Sequence, residues 1–171
     1  MPDHAEPWLT IVLHEPEIPN NTGAIGRTCV ATGAGLRLIE PIAFDTSEKA
    51  CRRAGLDYWK RLAPTTHAGW DAYLRDAAPR RTWFFTTRTE RPVWDAAFSP
   101  GDHLVFGKET AGLPDDLLEA HRERTLALPM LAGERSLNLA NAVCAALYEA
   151  MRQAVDAGGA SLDAGRFTPP R

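Results

Sequence analysis

The chain has 171 residues, 44% apolar and 24% charged, with a net charge of −3, values that fit one globular domain with its own core and exclude a chain basic throughout. No apolar run approaches the roughly 20 residues needed to cross a bilayer, and the start, MPDHAEPW, has neither the basic nor the apolar stretch of a secretory signal, so a cytoplasmic protein is expected. Cys29, Cys51 and Cys144 form no CxxC pair and none adjoins a histidine, so they read as reduced thiols and no metal site is expected.

Trp8 to His14 is short, apolar and partly β-branched, the pattern of a buried strand. Pro16 and Pro19 mark a loop, after which Asn20 or Asn21 can cap a helix from about Thr22 to Thr32, closed by Gly33 and Gly35. A second strand follows over 36–39, a short helix capped by Ser47 over 48–54, and another helix over 67–76. Strands over 82–86 and 103–106 come next, then a helix starting near Pro114 with Asp115 and Asp116 in its first turn, and a fifth strand over 125–128. Asn138 to about Val155 is the strongest helix, and the remaining tail, 156–171, is rich in Gly, Ala and Pro and is expected to fray. Strands alternate with helices, so the class is α/β, a mainly parallel sheet flanked by helices in a single domain over 1–155.

The last helix carries Leu139, Val143, Ala146, Leu147, Ala150 and Met151 in one apolar stripe, while Ala140, Ala142, Cys144 and Ala145 leave its other faces almost uncharged. Such a helix is buried on more than one side. One side meets its own sheet; the other meets either a second copy of the chain or more of the same core.

Several glycine patterns fail as known motifs. Gly107 and Gly112 have P-loop spacing, but Leu113-Pro114 stand where Lys and Ser or Thr are required. Gly33 and Gly35 end a helix instead of opening one, unlike a dinucleotide fingerprint, and there is neither GxSxG nor HExxH. What remains is three polar loops at expected strand ends, where open α/β sheets bind ligands: 19–27, 107–114 and 129–141.

In order, these loops read PEIPNNTGAIGRTC, LVFGKETAGLP and LALPMLAGERSLNLANAVCAALYEAMRQ. They resemble the motifs of the SPOUT superfamily of RNA methyltransferases. In particular they resemble the small stand-alone members that methylate the ribose of the tRNA wobble nucleotide, the tRNA (cytidine/uridine-34) 2′-O-methyltransferases. The resemblance spans about residues 8–153 and implies S-adenosylmethionine as methyl donor (leaving as S-adenosylhomocysteine, with no metal), tRNA as partner, a C-terminal trefoil knot and a homodimer through the last helix. By the same resemblance Phe85, Thr86, Gly107, Leu128, Met130, Ser136 and Leu137 line the donor pocket, with Glu109 beside it. On this reading Gly107 lacks a side chain because the donor occupies the space above it; the alternative is a tight turn needing positive φ.

Methyl transfer to a hydroxyl requires the oxygen to be aligned with the methyl carbon and its growing charge to be stabilised. Arg27, in the first motif with Asn21, is the candidate for the second task. A guanidinium stays protonated and so is a poor base; it is expected to hold the 2′-oxygen and a phosphate while phosphate or water takes the proton. Asn21 either bonds a loop or ribose oxygen or caps the helix. Glu109 accepts from Arg27 or backbone amides, or faces solvent. Ser136 and Asn138 serve donor or ribose, or cap the last helix. The commoner pattern has proline at 108, arginine at 111 and serine at 140, where this chain has Lys108, Ala111 and Ala140. Arg52, Arg53, Lys60, Arg61, Arg80 and Arg81 are candidate phosphate contacts, and Arg135 one across a dimer. The competing readings are a silent RNA-binding module or a relative acting on another RNA position.

Overall fold

The computed structural model describes residues 6–53 and 55–170, without the side chains of residues 48 and 52. In chain order the elements are β1 (Leu9–His14), α1 (Pro19–Thr32), β2 (Gly35–Ile39), α2 (Glu48–Arg53), α3 (Trp59–Leu62), β3 (Thr65–His67), α4 (Trp70–Ala77) and β4 (Arg81–Phe85). Then follow β5 (Asp102–Phe106), α5 (Asp115–Ala120), β6 (Thr125–Leu126), α6 (Leu139–Asp156), β7 (Ser161–Asp163) and β8 (Arg166–Thr168). The first six strands form one sheet in the order β3-β2-β1-β5-β4-β6, every neighbouring pair parallel. The expected α/β class with a parallel sheet is therefore what forms. No helix among the described residues is long and apolar enough to cross a membrane.

Apolar side chains alternate across the sheet because successive strand residues point to opposite faces. Leu9, Ile11 and Leu13 of β1, Leu104 and Phe106 of β5, and Trp83 and Phe85 of β4 share one core with α1 and α6. Val12, Phe84 and Val105 face the other way, onto Tyr73 of α4 and Leu117 and Leu118 of α5. Strands apolar on both faces are what a sheet covered by helices on both sides demands.

Three local expectations change. Helix α1 begins at Pro19, not Thr22, since proline with its preset φ suits a first helical position. The β3 strand was not legible: three residues, Thr65–His67, pair with β2 at the sheet edge, too few to show a period. The tail differs from the frayed segment expected. Ser161–Asp163 and Arg166–Thr168 pair as an antiparallel hairpin, and Phe167 lies against Trp8 with ring centroids 5.5 Å apart. Trp8 is itself held by its indole N–H, which donates to the Thr32 carbonyl at 2.8 Å. An aromatic pair and a closed hairpin thus order a composition that reads as loose.

The chain leaves β1 toward β2 on one side of the sheet and leaves β5 toward the β4–β6 side. Their carboxyl ends therefore diverge, which opens a crevice there.

Candidate active site

The crevice is a cleft of about 610 Å³. Phe85 and Thr86 reach it from the end of β4, Gly107 and Glu109 from the turn after β5, and Asn21 from the first turns of α1. Leu128, Met130, Ser136 and Leu137, from the segment leading into α6, close the remaining wall, with Arg135 and Asn138 beside them. Every residue assigned from sequence to the donor pocket lines this one cleft. Phe85 and Phe106 stack with centroids 4.5 Å apart and form part of its floor.

Glu109 joins the three loops. One carboxylate oxygen accepts from the Glu17 amide at 2.9 Å; the other accepts from Asn21 Nδ2 at 2.9 Å and the Ile18 amide at 3.3 Å. Asn21 Oδ1 accepts in turn from Asn138 Nδ2 at 3.0 Å. Asn138 is the N-cap of α6, its Oδ1 accepting from the amides of Ala140 and Asn141 at 3.0 and 3.2 Å. Asn21 is not a cap: it lies inside α1, whose N-cap is Ile18, and its amide spans Glu109 and Asn138. Of the partners weighed for Glu109, the backbone amides are the ones it takes, and Arg27 is not among them. Ser136 is exposed on the cleft wall and caps nothing.

Two acids not singled out in the sequence tighten the same loop. Glu17 accepts from the Thr110 amide at 3.1 Å and hydroxyl at 2.8 Å, and Glu15 accepts from Lys108 Nζ at 2.8 Å. The bond to Glu15 raises the Lys108 pKa. So Lys108 anchors the loop to the end of β1. The only sequence signal was the acidic HEPE run before Ile18, and contacts across 93 positions leave no local pattern.

The role expected of Gly107 is corrected. A Cβ there would stand 2.0 Å from the Gly112 carbonyl carbon, so the loop's own backbone, not a ligand, occupies the space above it. The positive φ of 73° belongs to Gly112, not to Gly107. Gly107 lines the cleft because its loop folds back on it, with the Gly112 amide donating to the Lys108 carbonyl at 2.9 Å.

Arg27 is not in this cleft. It lies on the far side of α1, its guanidinium 4.7 Å from the ring centroid of Tyr58, and lines a second pocket of about 230 Å³ with Phe44, Asp45, Tyr58 and Trp59. The 56–62 segment approaches α1 closely at Gly26, where a Cβ would meet Leu62 at 3.0 Å and Trp59 at 3.1 Å. The Tyr58 hydroxyl donates to the Gly23 carbonyl at 2.5 Å, and burial raises its pKa.

Of the basic residues offered to RNA, Arg53, Lys60, Arg61, Arg80 and Arg135 are exposed, and the Arg52 side chain lies outside the described residues. Arg81 is taken from the set: it pairs with buried Asp102 at 2.9 and 2.7 Å and also donates to the Ala97 carbonyl. Of the tryptophans, Trp59 and Trp83 are buried, whereas Trp94 is 65% exposed.

A parallel α/β sheet with a loop-walled cleft at its switch point, apolar on its floor and hydrogen-bonded at its rim, is the architecture of an α/β protein that takes a small ligand at its strand ends. Residues 8–148 match the SpoU rRNA Methylase family, and the chain belongs to that family of RNA methyltransferases. A tRNA (cytidine(34)-2′-O)-methyltransferase of Saccharophagus degradans is 48% identical over 151 residues, 88% of this chain and 98% of that one. A structure solved for the 2-OH methylation of C/U34 on tRNA superposes with a TM-score of 0.79 at 42% identity, covering 86% of this chain and 97% of that chain. The SpoU methyltransferase AviRb from Streptomyces viridochromogenes, in complex with AdoMet, superposes with a TM-score of 0.72 at 29% identity, covering 89% of this chain and 62% of AviRb.

Proposed function

We propose that this chain is a tRNA 2′-O-methyltransferase that uses S-adenosylmethionine to methylate the ribose of nucleotide 34, cytidine or uridine. The observation that carries the reading is the Glu109–Asn21–Asn138 tie, which draws all three motif loops around one cleft. The cleft fits the donor: its volume of about 610 Å³ lies within the roughly 300–1,000 Å³ of small-molecule sites, and its lining joins aromatic and aliphatic side chains with polar Thr86, Asn21, Ser136 and Asn138. When bound, the donor supplies a methyl group on a sulfonium, which leaves as a neutral thioether.

The chain's own residues supply the rest. Phe85, Leu128, Met130 and Leu137 form apolar walls for an adenosine, and the Glu109 network holds their loops at fixed spacing before the ligand arrives. Arg27 is the group for the acceptor, holding the 2′-oxygen and an adjacent phosphate, so that negative charge on the oxygen is stabilised as its proton passes to phosphate or water. Since Arg27 faces away from its own chain's cleft, the proposal includes a homodimer through α6, in which Arg27 of one copy serves the cleft of the other. Ala145 and Tyr148 on the exposed face of α6, the latter 54% exposed, support such a contact. The trefoil knot in the C-terminal half belongs to the same proposal, as does a single methyltransferase domain with its tail hairpin docked on Trp8. The enzyme works in the cytoplasm with its tRNA, which meets the exposed Arg53, Lys60, Arg61, Arg80 and Arg135.

Incubation with methyl-labelled donor and total tRNA, followed by nucleoside mapping, is expected to place the label on the ribose at position 34. Label on a base, at another position, or absent altogether overturns the proposal. Affinity for tRNA should fall steeply with added salt; a flat response removes the basic residues from it.

A further inference from the structure

Resting on the ribose-methylation reading, we infer that the second pocket, between α1 and the 44–59 segment, receives the base of the target nucleotide and that Asp45 makes it favour cytosine over uracil. Arg27 lines this pocket and is the group assigned to the acceptor sugar. A base is bonded to the carbon next to the one bearing the 2′-hydroxyl, so wherever that hydroxyl meets Arg27 the base lies within one ring's width. On Arg27's own chain the concave surface there is this pocket. At about 230 Å³ it lies below the size typical of a donor-sized ligand and suits a single ring system.

Its walls match a base. Phe44, half-buried, supplies an aromatic face, the largely buried Tyr58 and Trp59 complete the apolar lining, and Asn20, Asp45 and Thr46 supply polar atoms. RNA-binding proteins stack splayed-out bases on exposed aromatic side chains or guanidinium planes and read their edges by hydrogen bonds. Thr22 lines the same pocket, and its Oγ1 is buried without a hydrogen-bond partner among the described residues, a polar group in want of one.

Asp45 sets the preference. Its Oδ1 accepts from the Ser47 amide at 2.8 Å, and the hydrogen bonds from Ser47 lower its pKa, keeping it ionised. A carboxylate only accepts, and it has acceptor sites to spare. Cytosine presents an amino donor at C4, whereas uracil presents an oxygen there that a carboxylate opposes.

The test compares kcat/KM on two tRNA transcripts that differ only in C or U at the target nucleotide. The expected ratio for the unaltered protein is about tenfold in favour of C. Asp45→Asn should bring it close to one, because an amide can donate to uracil O4 as well as accept from cytosine N4. Asp45→Ala, which leaves no polar group, should lose the preference as well. Phe44→Ala should raise KM for both transcripts, with S-adenosylmethionine affinity unchanged in all three variants. A ratio near one in the unaltered protein, or a ratio unmoved by both Asp45 variants, overturns the inference and leaves the methylation reading standing. No ribose methylation of either transcript overturns that reading and the inference with it.

Discussion

The two sides of α1 are finished to different degrees. On one, Asn21 is buried and bonded to Glu109 and Asn138, so helix, strand-end turn and α6 cap form a single polar joint. On the other, Arg27 is exposed and rests on Tyr58 without an ion pair among the described residues. The Asn21 side is tied together by hydrogen bonds within one chain, around the cleft proposed for the donor. The Arg27 side has the charge and the aromatic surface, and under the proposed function it is completed by RNA and a second copy. Preorganisation is worth most where the ligand brings little order of its own, and a folded RNA brings a great deal.

The sharpest way to test that division is Arg27→Ala. Turnover should fall by about 10³-fold, the upper range for removing one group that stabilises developing charge. Donor affinity by calorimetry should change less than about twofold, since Arg27 lies outside its own chain's cleft and is assigned to the acceptor, not the donor. A comparable loss of donor affinity would erase the distinction between the two sides. Gly107→Ala attacks the other side. Its Cβ would overlap the Gly112 backbone, so the loop must shift and donor affinity should fall by about 10–100-fold, on the scale of overpacking costs of about 1–3 kcal/mol. Binding of RNA alone, followed by gel shift, should persist.

Glu109→Gln sharpens the comparison more gently. Two amides and Asn21 now donate to a carboxylate; a side-chain amide brings donors of its own into that position, at a cost of about 1–3 kcal/mol in stability. The melting temperature should drop and donor affinity with it, while Arg27-dependent RNA contacts remain.

The smallest effect lies on the sheet face away from both sides of α1. His103 is buried, with Nδ1 2.7 Å from the Tyr73 hydroxyl, and burial first, then the Arg37 charge, lowers its pKa to about 4. The unfolded chain then binds the proton more readily than the native one, so stability falls as pH drops below about 6.5 and on through about 4. Between pH 8 and pH 6 the loss should be about 1 kcal/mol, seen as a lower melting temperature, and His103→Gln should flatten that slope.

Much of this was legible in the chain itself. Runs such as Leu104-Val105-Phe106 bounded by glycine announce buried strands, and the alternation with helices announces a parallel sheet. The donor-side residues could be named because the motifs resemble those of a known family, and sheet topology brings them together at strand ends. Their wiring was not legible. Asn21 could be read as a cap because local spacing allows it, and nothing nearby shows that Glu109, 88 positions away, takes its amide. The tail hairpin was missed for a similar reason: Phe167 is stabilised by Trp8, at the other end of the chain.

From the order of its residues alone, this protein's class and its strand ends were determined, because periodicity and turn chemistry are local; the side chains of its cleft were implied by the family its motifs resemble. Only the tertiary structure decided which face of α1 each polar group takes, that Gly107 is empty for its own loop's backbone, and that Arg27 keeps company with Tyr58 instead of Glu109. Those outcomes depend on packing and hydrogen bonds between residues far apart in sequence, whose energies exist only once the chain has closed on itself.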